Sequence, residues 1–363
     1  MADTRGSRVG LDVVELVDEH SPIAIARPEV VAHLNPADHR SITLAAKRLS
    51  EYDAVILQHE YGIWGPKMGW PIVELIERLD TPVITSLHTL LPNPTPTQNR
   101  IVNILTARSE ITVVPTQAAL QLLQTLYAGD LGAVTVIPHG TKPVHRSVAR
   151  LRRPMDFDGV RPRLVTWGLI GPGKGLEWSL RAASQLGARY PDLRYTIAGR
   201  THPNVVAHEG ERYRRHLQGL VANLGLELHV EFRDSYLSDR DLRDLLLGAT
   251  IVVLPYDSME QIVSGVLVEA VAANVPVVAT SFPHALELAR ESAVAAVPHK
   301  SPEAMARAIS RLLDQPAVRA RMTSAQQRLG PDLEWSSVAS QYEHLIAYAI
   351  KGSVAKRHVS PAS

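Results

Sequence analysis

The stretch GLIGPGKG, residues 168–175, sets four glycines and one lysine between two patterned segments. Glycine lets the backbone approach an anion closely, and a helix start offers unpaired N–H groups at the positive end of its dipole. Lys174 adds a full positive charge. Gly168, four residues, Gly173 and Lys174 match the start of a nucleotide-triphosphate loop, G-x-x-x-x-G-K-[ST]. Gly175 stands where that loop carries the hydroxyl that holds Mg²⁺, and no acidic strand end follows to complete a metal site. The residues point to a phosphate held by backbone and lysine rather than to an ATPase. A glycine-rich strand-to-helix turn with a surface lysine has the same spacing.

A second group lies in EQIVSGVLVEA, residues 260–270. Ser264 and Gly265 suit a tight helix entry whose free N–H groups face a ligand. Glu269 follows about one helical turn later. An ionised carboxylate is acceptor-only, so it can take both hydroxyls of a ribose. The same glutamate can also be a solvated or core-paired helix residue.

Such loops need strands behind them. Short β-rich runs alternate with helical runs along the chain: 12–17, 54–58, 83–86, 112–114 and 135–137, then 163–167, 194–198, 230–232, 251–254 and 275–279. Continuous apolar runs such as Val-Val-Ala-Thr suit strands buried on both faces, as in parallel sheets. The fold class is therefore α/β: two Rossmann-like domains facing a cleft, with ligands beyond the carboxyl ends of the strands. The domains read as 8–145 and 163–332, joined by an Arg- and Pro-rich linker at 146–162. Trp335, Val338, Tyr342, Leu345 and Ala349 recur at helical spacing, so 333–350 is expected to be a closing amphipathic helix packing back on the first domain, with a frayed tail at 351–363.

The chain has 363 residues, a formal net charge of +1 and no cysteine. The near-neutral charge argues against a nucleic-acid binder. The missing cysteines exclude disulfides and thiolate metal sites and fit a cytoplasmic protein. No apolar run is long enough to span a membrane, which leaves peripheral membrane contact open.

Taken together, the motifs resemble the family 4 glycosyltransferases (glycosyl transferases group 1), retaining enzymes of the two-Rossmann-domain GT-B fold. In chain order they are QHEYGIWG (58–65), SLHT (86–89), VIPHG (136–140), GLIGPGKG, IAGR (197–200), VVLPY leading into Gln261–Glu269, PVVAT, and W-x-x-V-A-x-x-Y-x-x-L (335–345). The resemblance runs from about residue 54 to 349. It implies hexose transfer from a nucleotide diphosphate sugar to a glycan, lipid or small-molecule acceptor, with no metal and no cofactor beyond the donor. Lys174 would bind the donor diphosphate with the backbone N–H groups of Gly173 and Gly175, and Glu269 the ribose. Ser264 and Gly265 would open the diphosphate-binding helix. Gln261 would face the transferred sugar, and His88 would line the sugar and acceptor pocket. His88 can also be a buried strand-end histidine bonded to backbone. His59 and Glu60 are acceptor-side candidates, while His139 and Gly140 serve the interdomain turn.

Three departures stand out. Leu169 holds the place of the family's phosphate-binding arginine. Gln261 replaces the first member of an acidic pair, and Glu260 is one residue out of register. The family's opening strand, glycine-rich loop and helix are not evident, because DVVELVDE reads like a later strand. The expectation is a start set too far downstream or a truncated, non-catalytic relative, with an incomplete first sheet that exposes an edge and apolar surface. The DFD at 156–158 falls in the linker and reads as solvated acids rather than a metal motif.

Overall fold

The structure, a computed structural model, describes residues 10–17, 27–127, 129, 131–144, 161–259 and 261–359, without the side chains of 66, 67 and 353–359. Two units follow from its contacts: Met1–Pro138 with Trp335–Ser363, and His139–Glu334.

In the first unit, β1 (Val13–Leu16) pairs in parallel with β2 (Val30–Leu34). A separate parallel sheet follows in the order β3 (Val55–His59), β4 (Val83–Leu87), β5 (Ile111–Val114), β6 (Ala133–Val136). Among the described residues no ladder joins β1 to β3, and each pairs along one edge alone. The helices between strands start where the sequence supplies caps. Asp38 accepts the Arg40 N–H ahead of α1 (His39–Leu49), and Pro71 opens α2 (Pro71–Ile76). Thr95 and Gln98 form a capping box on α3 (Pro96–Arg108), and Thr116 caps α4 (Gln117–Leu126). Each cap satisfies an N–H that the helix itself cannot.

The second unit holds one six-stranded parallel sheet made of β7 (Arg163–Trp167), β8 (Arg194–Ala198), β9 (Val230–Arg233), β10 (Ile251–Leu254), β11 (Val277–Thr280) and β12 (Ala295–Val297). Their spatial order is β12-β11-β10-β7-β8-β9. Ile251, Val253 and Val278 enter one core cluster, while Val252, Leu254, Val277 and Ala279 enter the other. Successive side chains of a strand point to opposite faces, so a strand buried on both sides must be apolar throughout. Around it lie α5 (Leu176–Gly187), α6 (Arg212–Asn223), α7 (Asp239–Gly248), α8 (Gly265–Ala272), α9 (Pro283–Arg290), α10 (Pro302–Asp314) and α11 (Pro316–Leu329). The last helix, α12 (Trp335–Val359), returns to the first unit. Its Val338 and Tyr342 pack with Ile84, Ile111 and Val113, and the Tyr342 hydroxyl donates to Ser86 Oγ at 3.0 Å.

Several boundaries differ from the sequence reading. His139–Val144 group with the second unit, not the first: the Thr141 N–H donates to the Leu333 carbonyl at 2.8 Å, and Lys142 pairs with Asp239. The last helix begins at Trp335 because Gly330–Leu333 forms a 3₁₀ turn, and it runs on to Val359 instead of fraying from 351. The strand expected from 275 begins at Val277, because the Val275 N–H closes the end of α8 on the Ala270 carbonyl. β2 and β12 were not anticipated. Most of the linker, with DFD 156–158, lies outside the described residues. Among the described residues no helix is long and apolar enough to cross a membrane.

Candidate active site

Chain order in the second sheet reverses between two neighbours. β8 and β9 extend one way from β7, while β11 and β12 extend the other way from β10. Loops leaving such a pair part to opposite sides and open a crevice at the carboxyl ends of the strands. The loop after β7 is 168–175 and the loop after β10 runs from Pro255 to Ser264, so the two phosphate-type motifs meet at one switch point. They are joined directly, since the Asp257 N–H donates to the Gly173 carbonyl at 2.9 Å.

Glycine is required at the closest approaches. Gly175 has φ +63°, and a Cβ there would lie 1.9 Å from the Pro255 carbonyl oxygen. Gly199, at φ +138°, would put a Cβ 1.9 Å from the Gly168 carbonyl oxygen. Neither gap admits a side chain, so both backbones are pinned around the loop. As the N-cap of α5, Gly175 provides no side-chain acceptor for the first N–H groups of that helix. The Lys174 ammonium lies over the Tyr256 ring, 4.5 Å from its centroid. Burial lowers the Lys174 pKa, because a desolvated cation lacks the water that stabilised it. An anion at this point restores that stabilisation.

Glu269 is tied rather than loose: the Trp167 indole N–H donates to its Oε2 at 2.9 Å. Burial raises its pKa, and the indole hydrogen bond opposes that rise. Trp167 ends β7 immediately before Gly168, so this carboxylate stands at the root of the glycine loop.

One expectation at α8 needs correction. Ser264 does cap the helix, its Oγ accepting the Leu267 N–H at 3.2 Å. Its own N–H, however, is not free for a ligand, since it donates to His284 Nδ1 at 3.2 Å. Burial, helped by nearby His139, pushes the His284 pKa down to about 4, which keeps that ring neutral and able to accept. The N–H groups available at this helix start are those of Gly265 and Val266. His139 lies against Gly265, where an added Cβ would sit 3.5 Å from the imidazole. The Gln261 amide donates to the Val263 carbonyl at 2.7 Å, folded onto its own turn. Leu169 is exposed and brings no charge. Glu260 lies outside the described residues.

On the first unit, His88 follows β4. Its backbone N–H donates to the His59 carbonyl at 3.0 Å, and its Nε2 meets Gln58 Oε1 at 2.5 Å. His59 ends β3 and is fully buried, with both ring nitrogens unpaired. Burial, then the neighbouring His88, lowers its pKa to about 4. Its ring meets Tyr61 edge-on, with centroids 4.6 Å apart. Glu60 accepts the Thr89 hydroxyl.

Sequence reasoning missed Tyr256, Trp167, Asp257 and His284. For Tyr256 the signal was present: in VVLPY it stands one residue beyond a buried strand. Asp257 keeps one buried carboxylate oxygen without a partner at the loop junction. Among the described residues no cluster of three His, Asp or Glu is placed to hold a metal ion.

A family model described as glycosyl transferases group 1 matches residues 161–315, which contain the whole switch point. The D-inositol 3-phosphate glycosyltransferase of Streptomyces avermitilis is 27% identical over 355 residues, spanning 90% of this chain and 72% of that protein. The alpha-D-kanosaminyltransferase of Streptomyces kanamyceticus is 26% identical over 265 residues, 67% of this chain and 64% of that protein. Among solved structures, sucrose-phosphate synthase from Thermosynechococcus elongatus superposes with a TM-score of 0.71 at 19% identity, covering 93% of this chain and 88% of that one. Anabaena HepE in complex with UDP and glucose gives a TM-score of 0.68 at 18% identity, covering 85% and 81%. These structural likenesses carry the fold, an α/β GT-B architecture of parallel sheets. The chain thus carries a glycosyl transferases group 1 domain and is homologous to glycosyltransferases along most of its length.

Proposed function

We propose that the protein is a retaining glycosyltransferase that moves a hexose from a nucleoside diphosphate sugar to an acceptor without a divalent ion. The observation that supports this reading is the switch point of the second sheet, where the loop carrying Lys174 is hydrogen-bonded to the loop that leads into α8, and where Trp167 at the end of β7 holds Glu269. The sugar–phosphate bond breaks and its electron pair goes to the diphosphate. Lys174 and the backbone N–H groups meet that growing charge in a partly desolvated place, where electrostatic stabilisation is strong. The acceptor hydroxyl forms the new bond on the face the diphosphate leaves, and its proton passes to the departing phosphate oxygen. The free oxygen of Glu269 accepts from the ribose hydroxyls, with Oε2 held by Trp167. Gln261 is assigned to the transferred sugar. On the first unit, His88 is assigned to sugar and acceptor, its ring orientation set by Gln58.

The test is a calorimetric panel of UDP-, GDP- and ADP-sugars against the intact protein. One nucleotide is expected to bind, and Lys174→Ala is expected to weaken it about 10- to 100-fold, the loss of one charged hydrogen bond. Chelation with EDTA leaves turnover unchanged. Equal binding by Lys174→Ala overturns the site. A binding-only reading draws on Leu169 and Gln261, the two places where a charge is lost from the family pattern. It predicts tight nucleotide binding with neither transfer nor hydrolysis of the sugar.

A further inference from the structure

The glycine loop, residues 168–175, contains one cation, Lys174. It shares the switch point with two carboxylates, Asp257 at the loop junction and Glu269 at the root of the loop. The formal charge of these three side chains is negative, which disfavours a multiply charged diphosphate. A further cation stands on the neighbouring loop. β7 and β8 keep one register past the ends of their ladder: Trp167 pairs with Ala198 in the sheet, and three residues on Ile170 bridges Thr201 in the same parallel sense. The Ile170 N–H donates to the Arg200 carbonyl at 2.8 Å, and the His202 N–H donates to the Ile170 carbonyl at 2.8 Å. Leu169 therefore lies opposite Arg200. Directly paired residues present their side chains to one face, and successive residues alternate between faces. Burial agrees, since Ile170 and Thr201 are buried while Leu169 and Arg200 are both exposed. Leu169 lines a narrow pocket together with Lys174 and Tyr256. Neighbouring strands lie about 5 Å apart, a gap that the long stem of an arginine spans.

The backbone that carries Arg200 is held by a second arginine. Arg214 of α6 is buried; its Nη2 donates to the Gly199 carbonyl at 2.6 Å and its Nε to Thr201 Oγ1 at 3.3 Å. Those contacts fall on the residues at either side of Arg200. The same guanidinium pairs with Glu211 and, at 3.1 Å, with Asp234. It thus neutralises two acids that flank this turn and fixes the turn before a ligand arrives. We infer that Arg200 supplies a second cation to the donor diphosphate, from the loop after β8 and over the place where Leu169 brings none, a role that rests on the nucleoside diphosphate sugar reading above. A guanidinium offers a phosphate two parallel N–H donors, whereas an ammonium acts as a point charge. Lys174 and Arg200 approach from different loops, so substitution separates them.

The experiment is calorimetric titration of the intact protein with UDP, GDP and ADP, at low salt and again near 1 M salt. For the diphosphate that binds, Arg200→Leu is expected to weaken affinity about fivefold at low salt, the upper range for an exposed ion pair. The difference is expected to vanish near 1 M salt, where the screening length falls to about 3 Å. A merely structural contact would be missed equally at both salts. Leu169→Arg combined with Arg200→Leu is expected to regain most of the lost affinity, because the charge returns to the same face. Both positions are exposed, so each variant is expected to melt at the wild-type temperature. Unchanged affinity in Arg200→Leu overturns the role of Arg200 and leaves the transferase reading standing. A loss of equal size at both salts overturns that role too, as does a double variant that binds no better than Arg200→Leu. If the wild-type protein binds none of the three diphosphates, the reading of the site fails and the role of Arg200 with it.

Discussion

Each unit gathers candidate side chains at the carboxyl ends of parallel strands, but the two clusters are tied down differently. In the second unit each anchor has a partner on a distant element: Glu269 on Trp167, the Ser264 N–H on His284, the Lys174 ammonium on the Tyr256 ring. In the first, His59 is sealed in the core with neither ring nitrogen bonded. The sheets differ in the same sense. One is a continuous six-stranded ladder, and the other, among the described residues, is interrupted between β1 and β3. A site that must hold a polyanion gains from groups fixed before the ligand arrives. The second unit has that property from its backbone outward.

The largest expected effect breaks the second unit at its tightest point. Gly175→Ala places a Cβ 1.9 Å from the Pro255 carbonyl at a positive φ, so the β7 and β10 loops must separate. A loss of about 4 kcal/mol in urea unfolding is expected, together with loss of nucleotide binding by calorimetry. A variant with wild-type stability and binding would show that the two loops are not locked together. Gly173→Ala is the contrast, because the space around that residue is open and only the cost of its positive φ, about 1 kcal/mol, applies.

Acid sharpens the comparison next. His59 and His284 have folded pKa values of about 4, below the ordinary 6.5. Above 6.5 both folded and unfolded chains hold neutral rings, and stability is full. As pH falls from 6.5 to 4 the unfolded chain takes up protons that the folded one refuses, so stability drops, by about 3 kcal/mol for each ring. Unfolding curves collected from pH 7 to 4 measure this, and a flat profile would contradict the burial of both rings. At neutral pH the two histidines part company. His284→Leu orphans the Ser264 N–H and is expected to cost about 2 kcal/mol. His59→Phe removes no hydrogen bond and keeps the edge contact with Tyr61, so its cost is expected to stay under about 1 kcal/mol. Equal losses would erase the distinction between the clusters.

What could be read from the sequence follows from the same physics. Strands such as 251–254 were legible because burial on both faces leaves an unbroken apolar run. β2, VVAHL, was not, because two of its five residues are exposed and Pro28 precedes it closely. The glycine loop was legible because close backbone approach excludes every other residue. The partners that fix the site were illegible: Trp167 to Glu269 spans 102 residues and Ser264 to His284 spans 20, and no local periodicity encodes such a pairing. The notion of a free Ser264 N–H failed for that reason. A cap motif specifies the helix start, but the rest of the fold decides who uses the remaining donors.

The smallest expected effect returns to the missing charge. Leu169 sits in the glycine loop with 40% of its surface exposed, so Leu169→Arg should fold without strain and change stability by less than about 0.5 kcal/mol. An exposed arginine facing a bound diphosphate is worth about 0.5–1 kcal/mol, because solvent screens it. Nucleotide affinity is therefore expected to rise about two- to fivefold at low salt, and the gain should fade as ionic strength increases. The same substitution combined with Lys174→Ala separates the two charges. If the arginine reaches the diphosphate, it recovers part of the affinity that the lysine supplied. If affinity at low salt does not move in either background, position 169 points away from the phosphates, and the loop binds its anion through Lys174 and backbone N–H groups alone.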